Sequence, residues 1–214
     1  MHLREIRLTL FLLISLIVIR LLLIFFTHTL ISEEMLYQEL IEHLDQQQVL
    51  DLLQKRYEHI NYSGYVISAL AVGIRIFLVF MCIVIGVYVF SLEFKSYQVL
   101  NAIILAEFIF ILPGVIKLFW FAFIQTEYGI KDLQSFSGFS VLSFFNQEIF
   151  DNWLIYPLRS LNLFEALYWL VLAYQLSKII NKSFNSSLKF VAATYGVGLF
   201  IWQLFAMFVI LSIT

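Results

Sequence analysis

Five apolar stretches recur along the chain, starting near Leu8, Val66, Leu100, Leu158 and Phe190, and the polar residues gather in the segments between them. Each stretch is close to the roughly 20 residues with which a helix crosses a bilayer core. In lipid, only helices and closed barrels satisfy their own backbone groups, so runs of this length predict helices. The pattern predicts an all-α, polytopic membrane protein, a bundle of five transmembrane helices with a short extracytoplasmic amphipathic helical hairpin. Residues 1–31 form a signal-anchor helix, 32–63 the hairpin, and 64–214 a four-helix membrane domain with helices near 66–90, 99–123, 157–177 and 189–213.

The hairpin rests on helical spacing. Leu36, Leu40 and Leu44 recur at i, i+4 beside Tyr37 and Ile41, and Val49, Leu50, Leu52, Leu53, Tyr57 and Ile60 supply a second apolar face. Asp45 and Gln48 stand at the spacing of a capping box between the two faces. Such a hairpin caps its own bundle or meets a partner, and in the second case Leu36, Leu40, Leu44, Leu53 and Tyr57 are the contact residues. Glu39 and His43 lie one turn apart, but no HExxH spacing accompanies them, and neither a metal nor another cofactor is expected. Residues 125–156 carry Phe136, Phe139, Phe144, Phe145, Phe150 and Trp153 among serines and glycines. That density of rings predicts an interfacial piece lying against the bundle, with Ser140 or Ser143 capping a short helix.

Composition sharpens the class. Hydrophobic residues make up 62% of the chain and charged ones 13%, against roughly 25% charged in a soluble domain. The mean hydropathy is +0.91. A net charge of -2 argues against nucleic acid, which calls for a basic stripe. The single cysteine, Cys82, sits inside an apolar run and reads as a small packing residue. Arg4 and Arg7 precede the run Leu8–Phe26, which is longer than the roughly 7–15 residues of a cleavable signal core. Arg4, Arg7, Lys95, Lys178, Lys182 and Lys189 fall on one side of the alternating topology, which places the amino terminus in the cytoplasm and the carboxyl terminus outside. The Ile, Phe, Leu, Asn and Lys bias suits an A+T-rich bacterial genome, and hence a bacterial inner membrane.

Ionisable groups inside the apolar runs are the candidate chemistry, because an unpaired one costs roughly 2.5–3.5 kcal/mol or more. They are Arg20, Arg75, Glu107, Lys117 and Glu165. Counting from the helix mouths puts Arg20, Arg75 and Glu165 near one level in the outer half. Glu107 falls about one and a half turns deeper. Together with Gln203, near the midplane, Arg20, Arg75, Glu107 and Glu165 are the candidates for an intramembrane polar pocket. Lys117 is expected to snorkel to the headgroups. Pro113-Gly114 predicts a kink in the third helix. The pairs Ala69/Gly73, Ala102/Ala106 and Ala192/Gly196 predict close helix contacts.

The carboxyl-terminal half carries Asn162-Leu-Phe-Glu-Ala-Leu-Tyr-Trp at the head of the fourth helix. A short Lys178–Ser187 loop with Asn and Ser follows, and then a last helix. This order resembles the Yip1-like membrane domain family, bacterial type, over about residues 63–213. The resemblance implies architecture, five membrane helices; the best-studied eukaryotic members act as scaffolds in membrane traffic. It carries over no functional residue. The expectation is a non-enzymatic membrane protein that holds or regulates other membrane subunits in contact with lipid. The alternative is a transporter or permease subunit, or a lipid-binding protein, that uses the polar pocket.

Overall fold

The computed structural model describes residues 2–41, 45–49, 62–136, 139–145 and 150–213. Among them every element is helical apart from one isolated bridge. Helix α1 spans His2–Thr29, and α2, Glu33–Ile41, follows it. Helix α3 is Tyr62–Val89. The third apolar run is α4 (Ser96–Glu107), a 3-10 turn (Phe108–Ile111), α5 (Leu112–Phe119) and a π turn (Trp120–Ile124) in one continuous rod. Beyond it come α6 (Ile130–Ser135), α7 (Asn152–Ser160) and α8 (Leu163–Ile179). The last rod joins α9 (Phe184–Val191), a π turn (Ala192–Gly196) and α10 (Val197–Ile213).

Four of these helices are long and apolar enough to cross a membrane: Glu5–Thr29, Ser63–Val89, Ser96–Ile124 and Phe184–Ser212. The expected helix near 157–177 is differently built. Pro157 lies inside α7, that helix ends at Ser160, and Asn162 starts a new one. The Asn162 side chain accepts from the Glu165 backbone N–H at 2.8 Å, which caps α8 and fixes where it begins. At 17 residues α8 is shorter than α1, α3 and either composite rod. Of the hairpin, α2 is present, with Leu36 and Leu40 half-buried, and a turn of helix follows Asp45. Leu44, Leu53 and Tyr57 lie outside the described residues, as does His43.

Val72, Ile76, Val79, Ile83 and Val87 recur along one face of α3 and are all buried. They meet Leu16 of α1, Val99, Ile103 and Ile104 of α4, Leu172, Ala173 and Leu176 of α8, and Phe190 and Val191 of α9 in one core. The opposite face of α3 is equally apolar yet exposed, at Ile67, Leu70, Ile74, Phe77 and Ile85. Apolar residues all round a helix are the mark of a helix whose outer face meets lipid. In lipid such helices associate through close packing and polar contacts rather than through the hydrophobic effect. Thr9 donates to Asn101 at 2.7 Å, joining α1 to α4. A Cβ on Gly198 would stand 2.5 Å from the Cys82 sulfur, and one on Gly86 would overlap Thr194, so α3 and the last rod pack at glycine distance. Ala102 and Ala106 are buried, whereas a Cβ on Gly73 would meet nothing within 4 Å among the described residues.

The aromatic segment is tied down at both ends. Tyr128 donates to the Leu30 carbonyl at 3.0 Å, and its ring stacks 4.8 Å from Phe121. Farther along, Ser140 and Asn162 form the isolated antiparallel bridge, and Phe139 packs on Phe164. Ser140 precedes the 3-10 turn Val141–Phe144 as expected, but its buried hydroxyl makes no capping bond.

Candidate functional site: an intramembrane polar knot

Arg75 stands midway along α3, and its guanidinium joins two carboxylates. Its Nε lies 3.1 Å from Glu107 Oε1 and an Nη lies 3.1 Å from Glu165 Oε2. The same Nη reaches the Tyr195 hydroxyl at 3.3 Å. Beneath the guanidinium plane lies the Phe110 ring, 3.6 Å from carbon to centroid, with Tyr168 at 5.3 Å. A desolvated cation over a ring face gains about 2 kcal/mol. Three kinds of contact thus converge on one side chain.

Glu165 is the best-satisfied member. Oε1 accepts from the Tyr195 hydroxyl at 2.7 Å and from the Trp169 indole N–H at 2.9 Å, while Oε2 faces Arg75. A box of the form Asn-x-x-Glu at a helix start suggests a carboxylate that turns back to its own N-cap. Here Asn162 caps alone, and the Glu165 carboxylate points into the bundle instead. Glu107 is fully buried, and neither of its oxygens meets a well-aligned donor, although Arg75, Arg20 and Tyr168 are its electrostatic neighbours.

Local backbone irregularities position this knot. Proline at 113 has no N–H for the carbonyl four residues back, and its ring crowds that carbonyl. The rod answers by tightening to 3-10 over Phe108–Ile111 and restarting with Pro113 in the first turn of α5, where a missing donor costs little. The expected kink is therefore a change of helix type one turn before Pro113, and it carries Phe110 to Arg75. Similarly, the π turn Ala192–Gly196 holds Tyr195, and Gly196 admits the Trp169 ring, which would stand 2.6 Å from a Cβ there. π turns shift side-chain register in just this way and are frequent at functional sites.

Glu107, which residue counting sets deeper, meets Arg75 at 3.1 Å. The Arg75 side chain spans several ångströms along the helix axis, and counting backbone residues ignores that reach. Gln203 stays apart from the knot: its amide donates to the Ser160 hydroxyl, and the neighbouring Trp202 donates to Tyr156 at 3.1 Å, zipping α10 to α7. Arg20 feels the charge of Glu107 and Arg75 but makes no ion pair within 4 Å among the described residues. It lines a groove of about 340 Å³ with Leu23, Ile24, Thr27, His28 and Phe110. Lys117 donates its ammonium to the Leu133 carbonyl at 2.7 Å, in the segment beyond the third rod. Tyr195, Trp169, Tyr168 and Phe110 were not among the candidates. Tyr168 and Trp169, three and four residues after Glu165, were readable as same-face neighbours, whereas Tyr195 and Phe110 depend on the π and 3-10 turns.

Comparison of the chain with protein-family models, with curated proteins and with solved structures found no match. These features define a multi-pass helical membrane protein with a buried cluster in which one arginine is shared by two carboxylates.

Proposed function

We propose that this is a non-enzymatic integral protein of a bacterial inner membrane, acting as a subunit, scaffold or regulator of a larger membrane complex. The observation that carries this reading is the pairing of Arg75 with both Glu107 and Glu165. These charges engage one another and the rings around them, so they serve to lock α3, α4, α8 and the last rod together and are poorly disposed to handle a substrate. On this reading α8 is the fifth span, with Tyr168, Leu172 and Leu176 in the core and Leu163, Leu170 and Tyr174 on its outer face. The amino terminus is cytoplasmic, the carboxyl terminus is outside, and 32–63 with the aromatic loop forms the outer contact surface. The five-helix order is also what the resemblance to the Yip1-like family implies.

The test is affinity purification of the tagged protein in gentle detergent, with mass spectrometry of what accompanies it. A stoichiometric membrane partner is expected, and deletion of 33–60 is expected to release it while the bundle stays folded. Recovery of the protein alone would overturn the reading. A transporter, permease-subunit or lipid-binding role is the second reading, favoured by the open groove at Arg20. It requires that Arg75→Ala or Glu165→Ala abolish flux in protein that is still inserted.

A further inference from the structure

A second cavity lies across Gly114 from the Arg20 groove. It measures about 270 Å³ and is lined by Pro113, Gly114, Lys117, Phe136, Arg159, Asn162 and Phe164. Two of its residues are cations and none is a carboxylate. Lys117 spends one of its three ammonium donors on the Leu133 carbonyl, which leaves two. Arg159, at the end of α7, is exposed and makes no side-chain hydrogen bond or ion pair among the described residues. Asn162 is fully engaged in capping and in bonds to the Arg159 and Ser160 carbonyls, so it shapes the pocket without competing for a ligand. The start of α8 borders the same space, and its macrodipole has the same sign as the two side chains.

Position narrows the ligand. Lys117 stands seven residues before the end of the third rod at Ile124, about 10 Å at helical rise. Phe136, Phe164 and Pro113 give the pocket apolar walls beside the cations. An apolar-walled cavity with two cations that have no carboxylate partner among the described residues, roughly at headgroup depth, matches a compact anion attached to a hydrophobic body. We propose that this pocket binds a net-anionic phosphate group, held between Lys117 and Arg159. Arg159 supplies the planar fork suited to phosphate oxygens, and Lys117 a point charge. The site is separate from the Arg75 knot and does not depend on the partner reading above.

The test follows thermal unfolding of the full chain in neutral detergent as dioleoyl phosphatidylglycerol, dioleoyl phosphatidylcholine or inorganic phosphate is added. Phosphatidylglycerol is expected to raise Tm saturably, and phosphatidylcholine, whose choline neutralises its phosphate, is not. Lys117→Gln/Arg159→Gln is expected to raise the half-saturating concentration by at least about tenfold, as for loss of charge-assisted bonds. Lys117→Arg should preserve the response, and Lys182→Gln, on a distant loop, should leave it unchanged. A response to inorganic phosphate with the same dependence on Lys117 and Arg159 would assign the pocket to a soluble anion rather than a lipid. Because Arg159 is exposed, Arg159→Gln alone keeps the test open if the double variant fails to fold. An equal response from wild type and Arg159→Gln, or from both lipids, would overturn the proposal.

Discussion

At the scale of single residues, Arg75 is the side chain on which most depends. Removing it by Arg75→Ala leaves Glu107 and Glu165 buried together without their shared cation. Breaking a buried pair in this way costs about 3–5 kcal/mol, whereas replacing a whole buried set by neutral groups of similar size is often close to neutral. Arg75→Met/Glu107→Gln/Glu165→Gln is therefore expected to recover most of the stability that Arg75→Ala loses, measured by denaturation in mixed micelles. If the triple variant is folded and still copurifies with the partner proposed above, the charges serve architecture; if it is folded and inactive in flux, they serve chemistry. Tyr195→Phe is the milder probe. It deletes the 2.7 Å bond to Glu165 and is expected to cost about 1.5–3 kcal/mol, the range for a bond to a charged group.

Elements explain why only part of this was readable. Long apolar runs translate directly into α1, α3 and the two composite rods, since length and hydropathy suffice. The charged residues of the knot could also be named in advance, because an ionisable group in an apolar run is conspicuous. Phe110 and Tyr195 could not, because they reach Arg75 only where regular α geometry fails, and a residue count assumes 1.5 Å per residue throughout. Pro113 tests this point. A proline deep in a helix costs about 3 kcal/mol, but one in the first turn costs little, so Pro113→Ala should change stability by under about 1 kcal/mol. Phe110→Ala, in contrast, should lose about 2 kcal/mol through the guanidinium stack. Packing between α3 and α10 offers a paired test: Gly198→Ala is expected to cost about 1–3 kcal/mol by overpacking against Cys82. Cys82→Ala in the same chain should relieve it, since the next atom stands 3.7 Å away.

For the molecule as a whole, the testable property is orientation. In a chain carrying Cys82→Ala, a cysteine at Glu34 should react with an impermeant maleimide on intact cells, and one at Glu93 only after permeabilisation. The reverse pattern would invert the topology drawn from the lysines and arginines. Equal labelling of the two sites on intact cells would contradict an odd number of spans between them and with it the five-helix arrangement.

The knot also imposes an order on the protein's making. Arg75 leaves the ribosome well before Glu107, 90 residues before Glu165 and 120 before Tyr195. A nascent chain that has released only α1 and α3 presents arginines to the bilayer with no acidic counterpart. Retention of α3 at its final depth must await the third rod, and closure must await α8 and the last rod. A chain cut short before α8 therefore holds one carboxylate where the finished protein holds two, and closing of the bundle waits on the last-made elements that Arg75 must reach.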